Sequence, residues 1–398
     1  MKADSATPKV SRSGLTAIVS LYFFSMGFTL VTPAMAEFTA AFPGRECSLI
    51  NSLPTLFIGL AGILLGRAAG RRLPYRELAV TGSALALVGG CLPAVLGDFG
   101  LVLVCRAIFG IGLGLLIPMA NVLVNGNFTG GRRLALLGAG SIAMNAGGIL
   151  FQTVGGLLAE NGWQMTFWGY ILYAAALILA FFIPRMETAA VPWIHRTSLP
   201  RKIPGILTLF FIYGMLQFTL MTNTAALFES RNAGGAAVSG LALSLFTLSG
   251  CIGGLIFGFL SRRHPKTVFP LLFGLSVLGL IAIAELESRI GMILGLMAVG
   301  LGFGMIIPAF IMWAGSVSTP EALPKITAYV TSVMYLGDFV STFWMNLNTA
   351  VFGSSILSNI WAMALFCLIA AVAMTVRNPF AGTDGSSGSG RPAEPPSD

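Results

Sequence analysis

Apolar runs long enough to cross a bilayer, separated by short polar punctuation, recur along the whole chain. A crossing helix needs ~20 mostly apolar residues. Twelve segments meet that length, roughly 14–36, 48–68, 77–97, 100–124, 134–158 and 163–184, then 204–228, 236–260, 268–286, 290–313, 326–350 and 355–376. Gly and Pro interrupt many of them, which helices inside a bundle tolerate because neighbours satisfy the freed backbone groups. The longest internal polar segment, 185–203 (RMETAAVPWIHRTSLPRKI), lies between the sixth and seventh runs. It divides the chain into two six-helix bundles, 14–184 and 204–376, with a short segment 1–13 before them. The tail, 377–398, is rich in Gly, Ser and Pro and reads as disordered. The pattern predicts an all-α polytopic membrane protein with twelve transmembrane helices.

Composition agrees. The 398 residues are 56% hydrophobic and only 10% charged, against about 25% charged in soluble proteins, so too few polar side chains exist to cover soluble domains. The chain is also far too apolar for disorder. A net charge of +8 raises the question of nucleic acid, but no basic patch interleaved with aromatics is present, and no nucleic-acid partner is expected. The basic residues sort by side instead. With both termini cytoplasmic, nineteen Lys and Arg fall on the inner side, only Arg45, Arg231 and Arg289 on the outer, and Arg106 stays within the membrane. A multi-pass protein of the inner or plasma membrane, surrounded by lipid and acting as a monomer, is expected. Lys2, Lys9 and Arg12 precede an apolar run ending in Ala34-Met35-Ala36, which imitates a signal peptide. The run exceeds the ~7–15 apolar residues of such signals, so it is taken as an uncleaved first helix.

Catalytic and metal chemistry find no footing. Cys47, Cys91, Cys105, Cys251 and Cys367 are scattered without a CxxC, and His195 and His264 stand alone in polar loops. No GxxxxGK[ST] occurs. No enzyme activity, metal or cofactor is expected, and any work must draw on gradients or partners.

The two halves repeat. Gly110, Gly112, Gly114 and Pro118 of the fourth span reappear as Gly300, Gly302, Gly304 and Pro308 of the tenth. Ser52, Leu53, Thr55, Leu56, Gly62 and Gly66 of the second reappear as Ser244, Leu245, Thr247, Leu248, Gly254 and Gly258 of the eighth, and Met144 and Gly147 match Met334 and Gly337. Order, spacing and residue type agree. Two equivalent bundles facing each other create a site near the midplane that rocking exposes to each side in turn. The small residues permit close helix approach.

These residues resemble the major facilitator superfamily, particularly its bacterial drug and metabolite efflux branch, over about 14–376. The family places a basic gate signature between helices two and three, with a degenerate copy between eight and nine. Here the first copy retains Gly70, Arg71 and Arg72 and the second Gly258, Leu260, Ser261 and Arg263, while Arg67 and Arg262 stand where the family has an aspartate. Arg106, Gly110, Gly112 and Gly114 fit the fourth-helix pattern R-x-x-x-G-x-G-x-G. In the fifth helix Gly147, Gly155 and Gly156 match the exporter signature, whose central Gly-Pro is replaced by Phe151 and Gln152. The resemblance implies the twelve-helix two-bundle fold and alternating access, with protons as coupling ion and a small-molecule substrate.

Two charges remain deep in the membrane, where each costs ~2.5–3.5 kcal/mol on insertion scales. Asp338 sits near the middle of the eleventh span, and its repeat partner is Gly148. It reads as a proton carrier or cation anchor, or as an acid held by Tyr335, Thr342 or a neighbouring helix for packing. Arg106 has Leu296 as its repeat partner. Its candidate roles are proton-coupled cycling, hydrogen bonding to carbonyls of helix one, or anchoring an anionic substrate. Helices one, four, seven and ten line the cavity in the resembled family, which points to Tyr22, Ser25, Thr29, Asn121, Tyr213, Gln217, Asn223 and Trp313, with Gln152 and Tyr335 from helices five and eleven. With Met26, Met215 and Met221 they suggest an amphipathic cavity with few fixed charges. Three readings follow: proton-coupled export of small amphipathic compounds, uptake or exchange of an organic anion held by Arg106, and a receptor or scaffold that keeps the fold without turnover.

Overall fold

The computed structural model describes residues 11–68, 74–183, 200–319, 323–353 and 356–380. Each expected span holds a helix: α1 Arg12–Ala41, α2 Ser48–Ala68, α3 Tyr75–Ala94, α4 Phe99–Asn127, α5 Gly130–Ala159, α6 Trp163–Ala180, α7 Ile203–Ser230, α8 Ala236–Arg263, α9 Val268–Glu285, α10 Arg289–Ser316, α11 Leu323–Phe352 and α12 Ile356–Val376. Ten are long and apolar enough to cross a bilayer; α2 is apolar over the shorter stretch Ser48–Gly62, and α11 is diluted by a polar face. Residues 184–199, the tail from 381, and Gly70, Arg71 and Arg72 of the first gate copy lie outside the described residues.

Several boundaries differ from expectation by a few residues. The first helix starts at Arg12, where the Ser11 hydroxyl accepts the Gly14 N–H at 3.1 Å. It continues past the expected end at 36 to Ala41, because Phe38 is fully buried against Trp163 and Phe167. Glu37 therefore lies within a helical turn. α6 stops at Ala180, short of 184, and α7 begins at Ile203 with Pro204 in its first turn, where a missing N–H costs nothing.

α1 is not one continuous α-helix. Arg12–Phe24 is α-helical, Gly27–Ala34 is a 3₁₀ stretch containing Pro33, and Met35–Ala41 is α-helical again. The break frees the Phe24 carbonyl, and the Tyr173 hydroxyl of α6 donates to it at 2.5 Å. The same hydroxyl lies 2.0 Å from where a Cβ on Gly27 would stand, so only glycine fits there.

Helix pairing is the same in both halves. α2 and α3 pack on α4, α1 on α5 and α3 on α6; α8 and α9 pack on α10, α7 on α11 and α9 on α12. The expected glycines make these approaches possible. A Cβ on Gly110 would come 2.5 Å from the Pro54 carbonyl oxygen, and one on Gly300 would come 2.4 Å from that of Phe246. Gly114 and Gly304 meet the oxygens of Ile58 and Gly250, and Gly112 and Gly302 those of Gly82 and Leu272. Gly147 and Gly155 seat α5 on the Phe23 and Leu30 carbonyls of α1, and Gly337 seats α11 on Phe211 of α7. Gly156 instead lies against Gly240, between the halves. Pro118 and Pro308 occupy the interiors of α4 and α10.

Each half has its own buried cluster, with Phe218 of α7 and Tyr335 of α11 joining the first. At the end of the molecule away from the termini, two of the outer-side arginines hold loops. Arg231 donates to the carbonyls of Ile283 and Ala284, both at 2.7 Å, in the last turn of α9, where a cation opposes the helix dipole favourably. Arg289 donates to Ala233.

Gly304→Ala is expected to destabilise by about 1–3 kcal/mol, since its Cβ would fall 1.8 Å from the Gly250 oxygen. Gly258→Ala, with no atom within 4 Å, should be neutral or slightly stabilising. Thermal unfolding of the detergent-purified variants checks this; equal midpoints would refute the close α8–α10 approach.

Candidate functional site

The halves meet along two seams, α2 on α11 and α5 on α8. Among the described residues, the hydrogen bonds that join them all lie in the parts of these helices away from the chain termini. In the first seam Ser52 and Thr342 share a bond of 2.7 Å, and beside it Asn51 donates to Thr222 of α7 at 3.0 Å while accepting from Thr32 at 3.2 Å. In the second, Ser244 and Thr153 share a bond of 2.9 Å, and Thr247 donates to Gln152 at 3.0 Å. Ser52 and Ser244 are repeat partners, so the same polar position closes both seams. Uncharged polar bonds between membrane helices are weak, averaging ~0.6 kcal/mol. The far end of the molecule is closed by these bonds together with the close backbone approach of Gly156 to Gly240.

Asp338 lies in the first seam. It is mid-way along α11, about 22 Å from its start at 1.5 Å per residue. Residues three and four apart share a helix face. On that face, Tyr335 comes to 4.0 Å from a Cβ placed on Gly59 of α2, and Thr342 bonds Ser52 of α2. The repeat gives the same answer: Gly148, the counterpart of Asp338, faces Thr247 of α8, whose counterpart is Thr55. On the other flank α11 packs on α7, where Gly214 faces Met334 at 3.8 Å. One turn further along these parallel helices stand Gln217 and Asp338. Asp338 is 5% exposed, and its carboxylate has no hydrogen-bond or ion-pair partner among the described residues. Of the expected packing partners, Thr342 is engaged with Ser52, and the nearby Ser341 donates to the Asp338 backbone carbonyl at 2.6 Å.

The other cavity candidates divide. Gln217 is buried with neither amide atom partnered, and the Asn223 amide nitrogen is likewise unpartnered. They are among the buried polar groups without a partner, as are the Tyr213 hydroxyl and one terminal nitrogen of Arg106. Gln152 belongs to the second seam and Tyr335 to the first. Tyr22 donates to Asn121 at 2.8 Å, a closed pair within the first half, and Ser25 and Thr29 donate to carbonyls of their own helix. Two candidates are elsewhere: Tyr213 is 1% exposed and packs edge-on against Phe273 of α9, and Trp313 packs against Phe269 and Phe310. Aromatic size on a cavity-lining helix does not separate cavity from core, because such a helix also has a face turned into its own bundle. At the end of α8, Gly258, Arg262 and Arg263 surround an open surface hollow.

Arg106 has no exposed surface. Contrary to expectation, its partners are not on helix one. Nε donates to the Ile50 carbonyl of α2 and one terminal nitrogen to the Tyr170 hydroxyl of α6, both at 2.8 Å. The guanidinium also lies over the rings of Phe109 and Tyr170, 4.7 and 5.5 Å from their centroids. The second terminal nitrogen has no hydrogen-bond partner, but with no exposed surface the group is closed to a ligand in this conformation, so the anion-anchor reading gains no support. Sequence reasoning missed Asn51 and the two tyrosines of α6. Ser52, Ser244, Thr55 and Thr247 were visible as repeat partners, and polar residues kept in both halves were the signal of a seam.

Twelve helices in two pseudo-symmetric halves that meet along two seams are the architecture of a secondary transporter. A profile described as Major Facilitator Superfamily matches residues 17–342, and the chain belongs to that superfamily. It is 24% identical over 175 residues to the multidrug transporter protein MdtP of Bacillus subtilis (strain 168), a match covering 42% of this chain and 31% of that protein, so the chain spans about a third of that relative. Among solved structures, it superimposes on a bacterial homologue of the human lysosomal transporter Spinster, in an inward-facing and unoccupied conformation, with a TM-score of 0.73 and 13% identity over 94% of this chain and 97% of that one. The nucleoside transporter NupG gives 0.70 at 16% identity, over 91% and 98%. A D-xylose-proton symporter gives 0.69 at 16%, over 91% and 96%. At these identities the structures establish the fold alone.

The seam geometry makes a direct prediction. In a background without the five native cysteines, Ser52→Cys with Thr342→Cys should oxidise to a disulfide, since the native hydroxyls are 2.7 Å apart. The bond should arrest transport, and reductant should restore it; full transport by the oxidised protein would show that this seam does not open.

Proposed function

We propose that this transporter is a proton-coupled antiporter that exports small amphipathic organic molecules, with Asp338 as the group that exchanges a proton for substrate. The observation that carries the reading is the place of Asp338: a buried, unpartnered carboxyl in a seam that alternating access must open. A carboxylate ion is expensive in a dry membrane interior, whereas the protonated acid carries no net charge. Opening the α2–α11 seam would admit water and let the proton leave. Closing it would require the proton, or a cationic substrate, to return. Gln217 and Asn223 supply unpartnered polar groups, and Met215 and Met221 on the same helix supply soft apolar surface. Few fixed charges suit neutral or weakly charged organic molecules, in keeping with the multidrug relative. With the termini cytoplasmic, as the Lys and Arg distribution predicts, the end closed by the seam bonds is the outer one.

Purified protein in proteoliposomes, with ethidium as the amphipathic probe, tests the proposal. An imposed pH gradient should drive ethidium across the membrane, and Asp338→Asn should abolish that coupling while leaving the protein folded. Undiminished gradient-driven movement in the variant would sink the role of Asp338, and absence of any movement in the parent protein would count against amphipathic export.

A further inference from the structure

Arg106 and Pro54 form a pair whose meaning is not contained in the transport reading. Pro54 stands within α2, near its start. In an α-helix the N–H of residue 54 would bond the carbonyl of residue 50; proline has no N–H, so the Ile50 oxygen is left without its helical donor. Arg106 supplies one: its Nε donates to that same Ile50 oxygen at 2.8 Å. One turn along α4, Gly110 makes room for the Pro54 backbone, with a Cβ there falling 2.5 Å from the Pro54 oxygen. The two α4 residues on one face thus accommodate one irregularity in α2.

The second half provides the control. The repeat partner of Pro54 is Phe246, which keeps its N–H, and that of Arg106 is Leu296, which has no donor. Gly300 still lies against the Phe246 carbonyl, as Gly110 does against Pro54. Helix contact is therefore conserved between the halves, whereas the arginine is present only where the proline has removed a backbone donor. Immediately after Ile50 come Asn51 and Ser52, which bond Thr222 and Thr342 of the other half. The carbonyl that Arg106 grips belongs to the turn that presents both seam contacts.

We infer that Arg106 is a positioning residue for the transport cycle: it replaces the amide donor that Pro54 lacks and so holds the Ile50–Ser52 turn in the orientation that closes the far end. It acts through α2 and touches neither substrate nor proton. The inference requires only the transporter fold and does not depend on the substrate or coupling ion.

A suppressor experiment tests it. The full-length chain carries the Ser52→Cys and Thr342→Cys pair in the background without native cysteines, and the rate of disulfide formation reports seam closure. Arg106→Leu, which installs the residue of the repeat, should slow the reaction by about tenfold, in line with a buried acceptor losing its donor. Pro54→Ala alone should change little. Combined with Arg106→Leu, it should bring the rate back to within about twofold of the parent, because the restored backbone N–H satisfies Ile50. A double variant no faster than Arg106→Leu, or an Arg106→Leu protein as fast as the parent, overturns the inference. If Arg106→Leu yields no folded protein by size-exclusion chromatography, recovery of folded double variant supports it and loss of both overturns it.

Discussion

A peptide carbonyl inside hydrocarbon must find its proton donor within the protein, because no water is there to supply one. Regular helices meet this demand along their own length. Among the departures from regularity in the first half are the break in α1 at Phe24 and the proline in α2 that orphans Ile50, and side chains meet both debts. Tyr173 donates to Phe24, and Arg106 donates to Ile50 while being held by Tyr170. The two tyrosines stand one turn apart on α6, with Phe109 packed against both rings. A polar, aromatic-lined knot thus lets the first half carry bent helices within a membrane.

Much of this architecture was legible in the sequence because its causes are periodic. Apolar run length fixed the helices, and the repeated glycines marked where backbones touch, since a Cβ at Gly110 or Gly300 would strike a carbonyl of the neighbouring helix. Asp338 stood out because an acid in a long apolar run needs a reason. The partners of Arg106 were not legible. A proline in α2 and an arginine in α4 are far apart in the chain, and nothing in their spacing shows that one lacks what the other provides. Likewise, Tyr213 and Gln217 lie one turn apart on α7 and both keep a polar atom without a partner, yet only Tyr213 turns its ring against Phe273 in the core of its own half. That difference depends on how far the helix is rotated, which composition does not encode.

The pseudo-symmetric frame also shows where the halves have diverged. The two seams use equivalent serines, but only the α2–α11 seam contains an acid; its counterpart has Gly148 in contact with Thr247. The basic group in α4 and the acidic group in α11 belong to opposite halves and to different tasks, one shaping backbone and the other standing unpartnered between helices. The repeat sets the scaffold, and the groups proposed to act in transport occupy positions where the copies do not agree.

The seams are closed by hydroxyl and amide groups and not, among the described residues, by ion pairs between the halves. A single such bond, at ~0.6 kcal/mol, changes an equilibrium by only about threefold. The resting balance between the two faces of this molecule is therefore adjustable in small steps: one serine gained or lost retunes how often each side is open without disturbing the fold. Related chains could drift in turnover rate and in preferred orientation through changes that look trivial in sequence, long before any residue contacting substrate is altered.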